Sequence, residues 1–204
     1  DKKVPVVLTN KHVVRGSQNG ELIFKLLDDD KKWDVGNNFA VRMTEFEKQW
    51  IFHPNDKIDL CILPTAPLLQ QLNNHKKHPF YINITEDLIP NSKDENGFTA
   101  LEEIVMIGYP NGIWDEKNNL PIIRKGITAT HPSYNYNGKN EFMIDAACFP
   151  GSSGSPVFLL NLGNYSDKKG NTIIGNRIKF LGILHAGPQH TATGEIKIVE
   201  IPIV

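Results

Sequence analysis

A serine lies between glycines in the segment at residues 150–156, whose sequence is PGSSGSP. Glycines permit a tight loop with unusual backbone dihedrals, and the N–H groups of such a loop can converge on one point. Acyl transfer needs this arrangement, because a serine oxygen attacks the carbonyl while N–H donors stabilise the oxyanion, at about 3 kcal/mol per donor. The segment therefore indicates Ser153 as a nucleophile, although an ordinary Ser/Gly loop has the same composition.

A serine hydroxyl is a poor nucleophile at neutral pH until a base takes its proton, so a histidine and a residue that orients it are also required. His12 follows a β-rich run in the segment TNKHVV at residues 9–14. Asp59 directly precedes an apolar run in the segment DLCIL at residues 59–63. Taken alone, His12 is as readily a structural histidine and Asp59 a turn or cap residue.

Together the three segments resemble the motifs of trypsin-like serine peptidases. Residues 9–14 are similar to the T-A-x-H-V segment of that family, residues 59–63 to its D-[IL]-A-[LV]-[LI] segment and residues 151–156 to its G-[DN]-S-G-G-P segment. The chain order His, Asp, Ser is also that of the chymotrypsin template, whereas α/β-hydrolases and subtilisins use other orders.

Further segments resemble the bacterial branch of this family, which includes the high-temperature-requirement proteases and the glutamyl endopeptidases. Residues 107–112, IGYPNG, are similar to the I-G-x-P-x-G motif of that branch. Residues 124–129, RKGITA, are similar to x-x-G-I-V-S, and residues 145–151, DAACFPG, to D-A-A-I-N-P-G. The resemblance thus covers most of the chain and is closer in its C-terminal half.

The resemblance implies a serine endopeptidase with His12, Asp59 and Ser153 as its catalytic triad. It assigns the oxyanion hole to the backbone N–H groups of Gly151 and Ser153. A polypeptide substrate is the expected partner, and neither a metal nor an organic cofactor is expected.

The resemblance also implies a primary specificity pocket. Ala147 and Cys148 are expected at its base, and the segment LHAG at residues 184–187, with His185 and Gly187, in its wall. No acidic residue falls at the pocket base, so a small or apolar substrate side chain is expected. Alternatively, His185 hydrogen-bonds an acidic side chain, as a histidine does in glutamyl endopeptidases, although it lies one position away from that pattern.

The sequence departs from the family pattern in three places. Ser152 replaces the acidic residue that pairs with a newly cut N-terminus in digestive proteases, so activation by that salt bridge is not expected. Ser155 replaces the usual second glycine, as in glutamyl endopeptidases. Only 11 residues precede His12, where the family usually has a further strand. Either the N-terminal barrel lacks a strand or the chain is a fragment.

The elements that must hold these residues are short β-runs separated by turn signals. The pattern predicts strands at residues 4–8, 21–27, 39–42, 60–63, 104–107, 122–130, 141–144, 156–160, 178–184 and 195–201, a helix at 66–72 and a turn near 99–103. These indicate an all-β fold, and with the resemblance two six-stranded antiparallel barrels. We expect a single peptidase domain over 1–204, with an N-terminal barrel at 1–72, a connector at 73–98 and a C-terminal barrel at 99–204.

Composition excludes several other classes of protein. The 22 basic residues nearly balance the 23 acidic ones. The sequence has no basic stripe of the kind that binds a phosphate backbone, so nucleic-acid binding is not expected. No apolar run approaches the roughly 20 residues of a membrane-spanning helix. His75 and His78 are three residues apart in a polar stretch without paired acids, which favours a solvated linker over a metal site.

The two cysteines, Cys61 and Cys148, lie in apolar segments, where free buried thiols are expected, and a reducing cytoplasm suits them without following from them. Two alternatives to a peptidase acting alone remain. One is a non-catalytic peptide-binding or signalling module that retains its triad by descent. The other is one domain of a longer regulated protein.

Overall fold

The fold is mostly β. A computed structural model describes residues 4–111 and 113–185 of the chain. Within them the strands of every sheet are antiparallel, and only three short α-helices and two 3-10 helices interrupt the strands. These strands confirm the prediction of an all-β fold class. The physical reason is that β-branched and aromatic side chains favour extended segments.

The N-terminal half contains two three-stranded sheets around one core. Its elements are β1 (Val6–Thr9), α1 (Lys11–Val14), β2 (Asn19–Leu27), β3 (Trp33–Thr44), a 3-10 helix (Phe46–Gln49), β4 (Ile51–Phe52), β5 (Cys61–Pro64), α2 (Ala66–Asn74) and β6 (Pro79–Phe80). The strand orders are β1-β5-β4 and β3-β2-β6. Eight buried side chains form the core: Val14, Leu26, Val41, Trp50, Cys61, Leu63, Leu68 and Leu72.

The C-terminal half is built on one five-stranded sheet. After a 3-10 helix (Glu86–Leu88) and α3 (Ser92–Gly97), its strands are β7 (Glu103–Gly108), β8 (Ile122–Thr128), β9 (Ile144–Asp145), β10 (Pro156–Asn161), β11 (Asn164–Ser166), β12 (Thr172–Ile174) and β13 (Arg177–Ile183). The strand order is β13-β10-β7-β8-β9, and β11 and β12 form a separate hairpin. Ile104, Met106 and Val157 are the centre of its core.

Most predicted strands coincide with observed ones. The segments at 21–27, 39–42, 104–107 and 156–160 lie inside observed strands, and those at 4–8, 60–63, 122–130 and 178–184 differ from them by one or two residues at their ends. The predicted helix at 66–72 is confirmed as α2. The segment at 195–201 lies outside the described residues.

Three local predictions differ from the structure. Only Ile144 of the predicted strand at 141–144 is in a strand. The Met143 carbonyl oxygen accepts from both Ala129 and Thr130, and Glu141 bonds to a different turn, so these residues form no regular ladder. No helical turn forms at 99–103, where Glu103 instead begins β7. The helix α3 was not predicted, although its signal is in the sequence: Asn91 and Asp94 form a capping box.

The described strands do not close into the two six-stranded barrels that the resemblance implied. The reason is local, because β4, β6 and β9 are each only two residues long and cannot carry a ladder around a barrel. Within the predicted connector at 73–98, β6 pairs with β2, so this part of the connector adds to an N-terminal sheet.

The two halves contact each other at a glycine and through two hydrogen bonds donated by side chains. A methyl group at Gly154, just before β10, would lie 2.5 Å from Oγ1 of Thr9 at the end of β1. Farther along the interface, Lys25 Nζ donates to the carbonyl oxygen of Asn118, and Asn119 Nδ2 donates to that of Ile23 at 3.3 Å. The loop that precedes β10 is thus packed directly against the N-terminal half.

Replacing Gly154 by alanine tests this contact. Gly154 has φ +83°, so a side chain meets both backbone strain and Thr9. Gly138 has φ +75° but open space around it, so Gly138→Ala carries the strain alone. We expect a loss of about 1–2 kcal/mol in the free energy of unfolding for Gly138→Ala and roughly 1 kcal/mol more for Gly154→Ala, measured by urea denaturation. Equal losses in both variants would contradict the close contact.

Candidate active site

His12 and Asp59 form a two-point contact. Nδ1 of His12 lies 2.5 Å from Oδ2 of Asp59, and the backbone N–H of His12 donates to Oδ1 of the same carboxylate at 3.1 Å. The two side chains are 48% and 33% exposed, so the pair is open to solvent. A carboxylate on Nδ1 holds the proton on that nitrogen and leaves Nε2 as the acceptor, which is the tautomer that a general base requires.

The residues just before His12 position this pair. Thr9 pairs with Cys61 in the β1-β5 ladder, which brings the end of β1 beside the residues that lead into β5. Asn10 is fully buried, and its Nδ2 donates to the carbonyl oxygen of Asp59 at 2.9 Å. Lys11 is also buried and donates from Nζ to the carbonyl oxygen of Asn55 at 3.1 Å. Each residue from 9 to 12 therefore makes its own tertiary contact with the segment that carries Asp59.

Ser153 is the second residue of the second of two consecutive tight turns, which share Ser152. The N–H of Ser152 donates to the carbonyl oxygen of Phe149 at 3.0 Å, and the N–H of Ser155 donates to that of Ser152 at 3.1 Å. The third residue of each turn is a glycine with positive φ, Gly151 at +84° and Gly154 at +83°. This is the pattern of type II turns, in which a residue with positive φ occupies the third position.

The first turn is oriented by Asn111. Its backbone N–H donates to the carbonyl oxygen of Pro150 at 3.0 Å. The C=O and N–H of a trans peptide point in opposite directions, so the N–H of Gly151 is directed away from Asn111. A methyl group on Gly151 would lie 2.7 Å from the Asn111 nitrogen, so only glycine fits here. Neither the Gly151 nor the Ser153 amide donates to another described residue, which leaves both available to a ligand.

The two turns at residues 149–155 form the Ser153 loop. The structure brings this loop to the end of β1 that precedes His12. The half-buried Ser153 is next to Gly154, which packs against Thr9, three residues before His12. The loop is also tied to the end of β13, because Gly154 N–H donates to the carbonyl oxygen of Leu184 at 2.8 Å and Leu184 N–H donates to that of Ser155 at 2.9 Å. The segments carrying the three predicted triad residues thus converge on one region.

The residues expected at the pocket base lie in the loop between β9 and β10. Ala147 and Cys148 are both exposed, so the expectation of a buried thiol is wrong for Cys148 and right for Cys61. The loop is exposed because its neighbour Ala146, rather than Cys148, packs against the core of the sheet. Partial desolvation raises the pKa of the Cys148 thiol, and the positive charge of Arg124 opposes this effect.

His185 follows β13 and is paired with an acid. Its Nε2 lies 2.8 Å from Oε2 of Glu141, and the histidine side chain is 42% exposed. Glu141 was not among the residues predicted for the site, because it lies in a stretch that was expected to be a strand. Gly187, the other residue expected in the pocket wall, lies outside the described residues.

Sequence reasoning also missed Asn10 and Asn111, which orient Asp59 and the Pro150–Gly151 peptide. A signal for Asn10 was present in the sequence, since an asparagine stands where the T-A-x-H-V pattern has alanine, and the structure shows that this asparagine is buried. No such signal identifies Asn111, because its contact uses the backbone N–H that every residue except proline carries.

Residues 4–111 and 113–185 contain neither a metal-binding cluster nor a membrane-spanning helix. No group of three or more His, Cys, Asp or Glu side chains there is placed to hold a metal ion. No helix in the same residues has both the length and the apolar character needed to cross a membrane.

Comparison with known proteins assigns the chain to a family. No curated protein matches its sequence. A family model for the trypsin-like peptidase domain matches residues 1–164, which is most of the 204 residues. The matched region includes His12, Asp59 and Ser153. The chain therefore belongs to the trypsin-like peptidase domain family.

Proposed function

We propose that this protein is a serine endopeptidase in which His12, Asp59 and Ser153 act as a triad. The observation that carries the proposal is the two-point contact between His12 and Asp59, formed at the end of β1 where the Ser153 loop packs. The carboxylate on both the ring and the backbone amide fixes the orientation of the imidazole, which a general base requires. Membership of a peptidase family supports the same hydrolytic chemistry.

In the proposed reaction, Oγ of Ser153 attacks the carbonyl carbon of the peptide bond while Nε2 of His12 takes the hydroxyl proton. The tetrahedral intermediate collapses as the peptide C–N bond breaks, and the imidazolium gives its proton to the leaving amine. Asp59 keeps the ring oriented and stabilises its positive charge. Water then hydrolyses the acyl-enzyme by the same sequence of proton transfers, which restores the Ser153 hydroxyl.

The amides of Gly151 and Ser153 are the proposed oxyanion donors. Gly151 belongs to the first of the two turns and Ser153 to the second, and neither amide is used by another described residue. Donors that are already oriented need no rearrangement when the negative charge develops, so each stabilises the transition state more than the ground state. The glycine at 151 is required because its φ of +84° sets the turn that presents these amides.

For the substrate we propose a polypeptide with a small or apolar side chain at the cleaved position. Ala147 and Cys148, the proposed pocket base, carry no charge. The contact between His185 and Glu141 argues against an acidic side chain, because a second carboxylate near His185 would be repelled by the first. The glutamyl-endopeptidase type of recognition is therefore the less favoured choice at this site.

Labelling with a fluorophosphonate probe tests the nucleophile and its base. We expect one adduct on Ser153 by peptide mapping, none in Ser153→Ala, and a labelling rate lower by roughly 10³-fold or more in His12→Ala. Asp59→Asn should slow labelling by about 10²–10⁴-fold, because the amide lacks the negative charge that stabilises the imidazolium and no longer enforces the required tautomer.

His78→Ala and Ser92→Ala are the matched controls, since both positions are exposed and lie outside this region. They should label at the rate of the unaltered protein. A folded protein that takes up no probe would overturn the proposal and favour a non-catalytic peptide-binding module. An adduct on Ser152 or Ser155 would overturn the assignment of Ser153.

Alkylation of Cys148 tests the proposed pocket. At pH 8, iodoacetamide should modify the exposed Cys148 and spare Cys61, whose pKa burial raises to about 11, leaving about one thiolate in a thousand. The added group should occupy the pocket base. We therefore expect hydrolysis of a peptide p-nitroanilide with Leu at the cleaved position to fall at least about five-fold relative to one with Ala. Cys148→Ser should be insensitive to the reagent. An equal effect on both substrates would place Cys148 outside the pocket.

A further inference from the structure

Arg124 is a buried cation beneath the Ser153 loop. It lies on β8, where it is only 9% exposed, between two outward-facing neighbours of the same strand. Its Nη1 donates to Oγ of Ser152 at 3.1 Å, and its guanidinium lies over the ring of Phe149 with 4.8 Å to the ring centre. Both contacts are with the first turn of the loop, so this side chain joins the wall of the C-terminal sheet to that turn.

The burial of this charge requires an explanation. Among residues 4–111 and 113–185, no carboxylate lies within salt-bridge distance of Arg124, and its buried Nη2 has no hydrogen-bond partner. The other largely buried arginine of this half, Arg177, is paired with Glu102. Burying a cation without a counter-charge costs several kcal/mol. The Ser152 hydroxyl and the Phe149 ring carry no charge, so the contacts that Arg124 makes with the loop do not neutralise the guanidinium.

Ser152 transmits the contact to the turn. Its hydroxyl oxygen accepts hydrogen bonds from Nη1 of Arg124 and from the N–H of Phe149, the latter at 3.2 Å. Its own N–H closes the turn onto the carbonyl oxygen of Phe149. The side chain is almost fully buried, so these bonds are shielded from water. Arg124 thus acts on both ends of the turn whose corner is Gly151.

We propose that Arg124 is a positioning residue that holds the turn at residues 149–152 in the form that presents the Gly151 and Ser153 amides to the oxyanion. The inference rests on the function proposed above and assigns a role to a residue that the family motif leaves unspecified. A charge-assisted hydrogen bond to Ser152 and a cation–π contact with Phe149 restrain the turn at its two ends. Without them the turn would keep only its two internal hydrogen bonds between Phe149 and Ser152 and the bond from Asn111 to the Pro150 carbonyl oxygen.

The test compares Arg124→Met and Arg124→Lys with Arg177→Met in fluorophosphonate labelling, with the maximal rate constant separated from probe affinity. Arg124→Met should lower the maximal rate about 10–100-fold and change probe affinity less than about three-fold, because the oxyanion donors are misplaced while the probe still binds. Arg124→Lys keeps the charge and one donor, so it should recover part of the rate. Arg177→Met removes the other largely buried arginine of this half, which contacts Glu102 and Asn161 rather than the loop, and it should lower the melting temperature without this loss of rate.

Hydrogen–deuterium exchange gives a readout independent of activity. In Arg124→Met, peptides spanning residues 148–156 should exchange at least about ten-fold faster, because the Phe149 and Ser152 amides lose their protection, while Arg177→Met should leave them unchanged. Unchanged exchange in Arg124→Met, or equal rate losses in Arg124→Met and Arg177→Met, would overturn the positioning role. An unaltered protein that is not labelled, with exchange changed as expected, would overturn the proposed function alone.

Discussion

The structure around the proposed site depends on how closely the backbone of residues 150–154 approaches its neighbours. Gly154 leaves no room for a methyl group against Thr9, and Gly151 leaves none against Asn111. Both glycines also have positive φ, a conformation that other residues adopt only with strain. Because the loop contacts both halves of the chain, its position couples the strand that ends before His12 to the sheet that ends beside Leu184. Any side chain at these points would separate the parts that the proposed chemistry requires together.

Buried polar groups supply the precision that apolar packing does not. Asn10, Lys11 and Arg124 are all at least nine-tenths buried, and each donates to a backbone oxygen or hydroxyl of a neighbouring loop. Burying such groups costs free energy unless they are hydrogen-bonded, so their bonds to the loops are kept in the folded state. A bond of fixed length and direction orients a loop more strictly than non-directional apolar contact does. Asn10 and Lys11 hold the loop that carries Asp59 in this way, and Arg124 holds the loop that carries Ser153.

The sheets tolerate considerable irregularity as long as these contacts are kept. In the described residues the N-terminal strands form two three-stranded sheets, and short strands such as β4, β6 and β9 end the ladders early. The core of that half still closes over eight buried side chains, partly because α2 contributes Leu68 and Leu72. Helices and irregular segments therefore complete the packing where the strands are too short to do so.

The sequence by itself determined the fold class, most of the strands and the three residues of the proposed triad. Short β-runs are a local property of the chain, and the motifs around His12, Asp59 and Ser153 are contiguous segments, so both are visible without coordinates. Only the tertiary structure showed that Glu141 meets His185, that Asn111 orients the peptide before Gly151, and that Arg124 lies under the Ser153 loop. Arg124 and Ser152 are 28 positions apart in the sequence, and Glu141 and His185 are 44 positions apart. The contact of Asn111 uses a backbone amide. Which side of a strand or loop meets which distant group depends on register and packing, and no local pattern of residues encodes that.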